Sequence, residues 1–266
     1  MHKGKYVFAQ LLDFIDKDVF LRIANKYDGN RYVKQFTCWN QLAVLMFGQL
    51  SNRESLRDVV LATQTHASKA YHIGFGRHAA KSILADAKTK RDYRIFEEFA
   101  YKVISEAQRC RIVDIFKLNG DVYAFDSTTV DLCLSTFEWA LFRKRKGGIK
   151  MLLCMIWRLR FLRSFTLHRQ GLMIQKQWIE QHLKIKKFWG ASENAVRIKI
   201  YSAIIAYCMM AIVQKKMNVE RSIYEMLQIV SISLTDTTHL RDLLAKPNCN
   251  IVNELDDSTE PNLFNC

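Results

Sequence analysis

The chain has 266 residues, 49% of them hydrophobic and 25% charged, enough to bury one or two cores, which excludes a disordered tail. Its 2 prolines both lie beyond residue 246, where average usage would give roughly a dozen, so long helices are favoured over a proline-rich linker architecture. The net charge of +14 is concentrated: residues 139–199 carry 15 Lys/Arg against 2 Asp/Glu, which points to a polyanion partner, most commonly nucleic acid, or else to a solvated basic surface.

At the N-terminus, His2, Lys3 and Lys5 precede short apolar stretches broken by Asp13, Asp16 and Asp18, which is not a signal-peptide pattern. The 7 cysteines form no CxxC pair and no zinc spacing, and an odd, scattered set reads as reduced thiols in a cytosol. Val7, Leu11, Leu12, Phe14 and Ile15 mark a first amphipathic stretch, closed by a turn at Tyr27-Asp28-Gly29-Asn30. Cys38 to Leu50 is apolar at helical spacing. Ser51 with Glu54 three residues on then predicts a capping box that opens a helix through Leu56, Val59, Val60 and Leu61.

A short helix over about Ala67 to His72 is expected to stop at Gly74-Phe75-Gly76, and another to begin near Arg77 and run through Ile83, Leu84 and Ala87. With Arg77, Lys81, Lys88, Lys90 and Arg91 on it, this unit has the outline of a helix-turn-helix, although any three-helix cluster with a basic third helix would look similar. His66, His72 and His78 are spaced so as to scatter around a helix, which argues against a metal site. Asp92 to Ala107 reads as one more helix, with Tyr93, Phe96, Phe99, Ala100 and Val103 on one face.

After Asn119-Gly120 the period changes, and residues 121–126 read as a strand ending in Asp126. A carboxylate there, followed by Ser127, Thr128 and Thr129, suits a divalent metal or a simple Asx or ST turn. The basic block adds Arg143, Lys144, Arg145, Lys146 and Lys150 as DNA-contact candidates, with Trp157, Trp178 and Trp189 able to stack on bases. Ile200 to Val213, the longest apolar stretch, is too short to span a bilayer and predicts a buried helix.

Three stretches carry a family resemblance: GFGRHAAKSILADAKTKRDYRIFEEFA, YAFDSTTVDLCLSTFEWALFRKRKGGIKM and WIEQHLKIKKFWGASENAVRIKIYSAIIAYCMMAIV. Over about residues 1–150 and 178–244 the chain resembles insertion-sequence transposases of the DDE type. The resemblance implies an N-terminal DNA-binding module over 1–110, with Arg77, Lys81, Lys88 and Arg91 on phosphates, and an RNase H-like catalytic domain over 111–266. It places Asp126 as the first of three carboxylates holding Mg or Mn. It also implies double-stranded DNA (transposon ends and target) as partner, no membrane, a homodimer or association with an intact transposase, and a bacterial cytoplasm.

Two-metal phosphoryl transfer needs several shared carboxylates. No Asp occurs between Asp131 and Asp236, Met173 holds the position where the family has Glu, and Glu180 stands seven residues on, ~10 Å along a helix. Codons exist for the run from Leu152 to Arg163 that, read one base over, spell a peptide similar to the family's continuation after Lys150-Met151. Residues 152 to about 169 therefore read as out-of-frame translation, with a deletion before Trp178. The expected architecture is mostly α with a small β component: a helical N-terminal module plus an incomplete RNase H-like α/β remnant, disrupted at about 152–177. Its strands are expected at 121–126, near 130–135 and near 148–157. The activity expected of this copy is DNA binding with defective strand cleavage and transfer; the alternatives are a non-catalytic DNA-binding derivative and a decayed gene product.

Overall fold

The computed structural model describes residues 4–76, 80–110, 185 and 188–246, together with the backbone of four strands between 123 and 168. Helices dominate it: α1 (Val7–Leu12), α2 (Lys17–Lys26), α3 (Cys38–Leu50), α4 (Leu56–Gln64), α5 (Ala70–Ile73), α6 (Lys81–Lys90), α7 (Arg94–Cys110), α8 (Glu193–Lys216), α9 (Ile223–Ser233) and α10 (Leu240–Leu244).

Local chemistry sets the boundaries. Asp16 caps α2 by accepting from the amides of Asp18 and Val19, and Thr37 and Asn40 form a capping box on α3. The box expected at Ser51 and Glu54 lies four residues later, at Ser55 and Asp58, where it opens α4. Ser51 instead ends α3: its hydroxyl donates to the Phe47 carbonyl, and Asn52, at φ +54°, turns the chain so that the Arg53 amide reaches the Gly48 carbonyl at 2.9 Å. An Asn after Ser is as good a stop as a start, and the apolar period alone does not separate the two. Gly74, at φ +108°, ends α5 in the left-handed region and swings Phe75 into the core, between the rings of Phe8 and Phe47 at 5.5 and 4.8 Å.

The long helices share one core. α7 buries Ile95, Phe96, Phe99, Ala100, Val103, Ile104 and Ala107 along one stripe. α8 is buried almost all round, from Ile198 to Val213 without a break. By length and composition it could cross a membrane, but 94% of its apolar window is packed inside the protein, as a core helix is. Tyr201 on α8 donates its hydroxyl to Glu97 on α7 and stacks on Tyr93 at 6.4 Å.

The C-terminal helices close over the N-terminal ones. The Val7 and Phe8 amides donate to the carbonyls of Asp236 and Leu234 at 2.8 and 3.0 Å, and the Gln10 side chain bridges the Thr238 carbonyl and the Leu240 amide, each at 2.9 Å. One contiguous cluster runs from Val7 to Ala107 and resumes from Ile185 to Leu244. The division expected at residue 110 therefore does not separate two cores among the described residues, because the faces of α3 and α7 are completed by α8.

Between α7 and α8 the described backbone forms β1 (Tyr123–Leu132), β2 (Leu141–Arg143), β3 (Lys146–Ile156) and β4 (Phe161–His168), with β3 paired antiparallel to the other three. Asp126 is not at a strand end: β1 runs on to Leu132, and Asp126 lies opposite Leu153. The register is unbroken from Tyr123 to Leu132, so no bulge interrupts the residues between Asp126 and Asp131.

Candidate nucleic-acid interface

Helix α6 carries the basic residues expected to read DNA, and its two faces separate them. Leu84, Ala87, Lys88 and Arg91 recur at the i, i+3, i+4, i+7 spacing of one helical stripe, and that stripe is buried. Lys81 and Lys90 lie on the exposed side, Lys90 within 3.2 Å of Asp86 one turn back. Lys88 and Arg91 are thus corrected from phosphate contacts to interior groups, 2% and 8% exposed. Their helical position, which a count of charge along the sequence does not weigh, decides this.

Both interior cations have partners. The Arg91 guanidinium donates to the Thr37 carbonyl at 3.0 Å, to Gln41 Oε1 at 2.8 Å and to the Phe36 carbonyl, tying the end of α6 to the start of α3. Burial lowers its pKa, with the Cys38 thiol opposing that shift. Lys88 Nζ donates to the Trp189 carbonyl at 3.2 Å and lies 5.2 Å from the indole centroid. Burial pushes it down to about 7.

Trp189 is not a base-stacking residue in this structure, since only 7% of it is exposed. Its indole N–H donates to the Glu54 carbonyl at 3.1 Å, and it fits because α3 has no side chain at Gly48, where a Cβ would meet Trp189 Cη2 at 2.7 Å. Lys199 on α8 also lies against the ring, 3.2 Å from the indole centroid, and donates to Gln49 Oε1 at 2.5 Å. Burial, and then the charge of Lys88, hold it well below the usual lysine range. Asn194 completes the joint. Its amide donates to the Lys88 and Arg91 carbonyls at 2.6 and 2.7 Å, and its Oδ1 accepts from the Tyr93 amide at 3.0 Å. Sequence reading missed Lys199, Gln49 and Asn194; the one available signal was a glycine in the middle of an apolar helix.

A second feature is a groove of about 740 Å³ between α1, the start of α3 and α5, lined by Lys5, Lys17, Trp39, Asn40, Tyr71 and His72. Lys5 is paired with Asp13, and Lys17 Nζ lies 5.7 Å from the Trp39 ring, while Tyr71 is 79% exposed. Lys17 and the exposed Tyr71 ring line the same groove, and such groups together suit a phosphate and a base.

Several expected site residues fall elsewhere. Arg77, Lys144, Arg145, Trp157, Trp178, Met173 and Glu180 lie outside the described residues. Arg143 ends β2, Lys146 begins β3 and Lys150 lies within it, all as backbone positions, as is Asp126 on β1. Glu193 opens α8 and accepts from Arg197 at 2.9 Å. Among the described residues no group of three or more His, Cys, Asp or Glu is placed to hold a metal ion.

Residues 3–76, which contain the whole groove lining named above, match a domain of unknown function, DUF4372. A stretch of 36 residues, 14% of the chain, is 50% identical to the protein named Putative transposase y4zB of Sinorhizobium fredii. Over that stretch the chain is similar to a protein named a transposase. That match spans 10% of the relative's own length. No solved structure matches the chain.

Proposed function

We propose that this protein binds insertion-sequence DNA as a member of the DDE transposase family and is defective in strand cleavage and transfer. The observation that carries the reading is the 50% identity over 36 residues to a transposase-named protein. Lys81 and Lys90, exposed on α6, and the cations of segment 139–199 that lie outside 152–169, Arg143, Lys144, Arg145, Lys146 and Lys150 among them, support a phosphate-binding role. On this reading α6 and the 3–76 groove meet duplex DNA, Asp126 is the one retained metal ligand, and the four strands are the remnant of an RNase H-like sheet.

Mg or Mn would supply the activation of an attacking oxygen and the stabilisation of a leaving one in such chemistry. Among the described residues no group of carboxylates is placed to hold a metal pair. Asp126 has no aspartate after Asp131 to join it before Asp236, and Glu193, the acidic residue that opens α8, is engaged by Arg197. No catalytic step is therefore assigned to this chain. The shared core of N- and C-terminal helices favours a folded DNA-binding derivative over a decayed product.

Two measurements test this. Gel shifts on duplex DNA carrying the element's ends should show binding that weakens steeply between about 50 and 200 mM salt. Incubation with Mg or Mn should join no labelled 3′-hydroxyl end to target DNA. Absence of binding at low salt sinks the DNA reading, and strand transfer lost on Asp126→Ala sinks the defective one.

A further inference from the structure

Between α3, α4, α6 and α8 two lysine amines lie against a single indole, both deep in the interior. Lys88 Nζ lies 5.2 Å and Lys199 Nζ 3.2 Å from the Trp189 centroid, with 2% and 3% of the two residues exposed. Their nitrogens are therefore within about 8.5 Å of each other, a range at which like charges repel strongly away from water. One ammonium on an indole face is a favourable pairing. A second in the same dry site has no countercharge among the described residues. Among the described residues, each amine's hydrogen bond goes to a neutral oxygen, the Trp189 carbonyl for Lys88 and Gln49 Oε1 for Lys199.

We propose that Lys88, Trp189 and Lys199 form a proton-operated latch, in which uptake of a second proton by the pair of amines unseats the indole and frees the chain at Trp189 from α6. Trp189 is suited to this, because it is the point at which the chain entering α8 grips three other elements. Its carbonyl holds α6, its N–H holds the Glu54 carbonyl before α4, and its ring fills the notch at Gly48 on α3.

The charged groups on the surrounding elements do not neutralise the pair. α3 offers only the Cys38 thiol, itself raised by burial. Near α4, Asp58 caps its own helix, Glu54 is exposed and presents its carbonyl, and Arg53 and Arg57 add positive charge. On α6 Asp86 pairs with Lys90, leaving Lys81 and, just beyond, Arg91 as further cations. Asp92 pairs with Arg94, Glu97 accepts from Tyr201, and Glu193 pairs with Arg197. Burial holds both amines below the ordinary lysine value, Lys88 down to about 7 and Lys199 well below its usual range. The unfolded chain, with ordinary lysines, therefore binds more protons than the folded one below about pH 10.5, so the closed latch gains stability as pH rises and loses it as pH falls toward and through 7.

Hydrogen–deuterium exchange of the full chain at about pH 8.5 and 6.0, corrected for intrinsic exchange rates, tests the latch without any DNA, so its outcome is independent of the function proposed above. Peptides over 81–91 and 188–199 should lose protection by at least about tenfold at the lower pH, while α9 changes by less than about threefold. Lys199→Met should shrink that difference by at least about threefold, leaving only the response of the one remaining buried amine, and if it does not fold, Lys88→Met makes the same test from α6. Protection that ignores pH in the native chain overturns the proposal, as does a pH response spread evenly over all helices or one that survives undiminished in whichever variant folds.

Discussion

Replacing Asn194 by alanine removes three hydrogen bonds at one stroke. Its amide group holds the carbonyls of Lys88 and Arg91 at 2.6 and 2.7 Å, where α6 runs out of intrahelical donors. Its Oδ1 takes the Tyr93 amide at 3.0 Å, just before α7. Each such bond is worth about 1 kcal/mol net, and the side chain is half-buried, so water replaces some of what is lost. The expected cost is roughly 2–3 kcal/mol, or about 1 M in the urea midpoint for a slope of 2–3 kcal/mol/M. Urea unfolding followed by far-ultraviolet circular dichroism measures it. Asn194→Asp should cost at least as much, since it keeps the acceptor for Tyr93 but loses both donors and sets a negative charge beside two carbonyls. Ser192→Ala, which removes only the cap on the Ala195 amide at 3.2 Å, should cost about 1 kcal/mol. If Asn194→Ala lies within about 0.5 kcal/mol of the native chain, or no lower than Ser192→Ala, the Asn194 joint does not hold the α6–α7 corner.

Two further outcomes follow from the placement of charge and core. The Lys81→Ala/Lys90→Ala double variant should lower the slope of log binding constant against log salt by roughly 2, whereas Arg91→Ala should lower thermal stability and leave that slope unchanged; a slope change in folded Arg91→Ala protein would place that side chain on DNA after all. A fragment of residues 1–110 should show no cooperative urea transition and should bind a hydrophobic dye, because α3, α6 and α7 lose their packing against α8; a sharp transition would refute the shared core.

Helix positions were legible wherever apolar residues recur at helical spacing, as in Cys38–Leu50 and along the buried stripe of α7. Boundaries were less so. Ser51 and Glu54 satisfy the capping pattern as well as Ser55 and Asp58 do, and only the left-handed turn at Asn52 decides between them. The site was harder still. Lys88 and Arg91 look like surface cations in a run of charge, and it is Trp189, 98 residues after Arg91, that supplies the ring and carbonyl closing over Lys88. Partners that distant in the chain leave no local pattern, and the same holds for Lys199 and Gln49, 150 residues apart.

The route of the core also bears on how much of the central segment the fold requires. Its described members come from Val7 to Ala107 and from Ile185 to Leu244, and the two sets lock together through backbone bonds such as that from the Val7 amide to the Asp236 carbonyl. Burial drives folding in proportion to the apolar area removed from water, and the described helices bury theirs against one another. An altered reading frame over 152–169 would therefore change charge and chemistry between α7 and α8 while leaving the sequence of every described core residue intact. Under that arrangement the helices that carry Lys81 and Lys90 and line the Lys5–Lys17 groove are kept whatever the central segment encodes. On the function proposed above, DNA binding and strand transfer would draw on different parts of the chain, so the first can be retained where the second is lost.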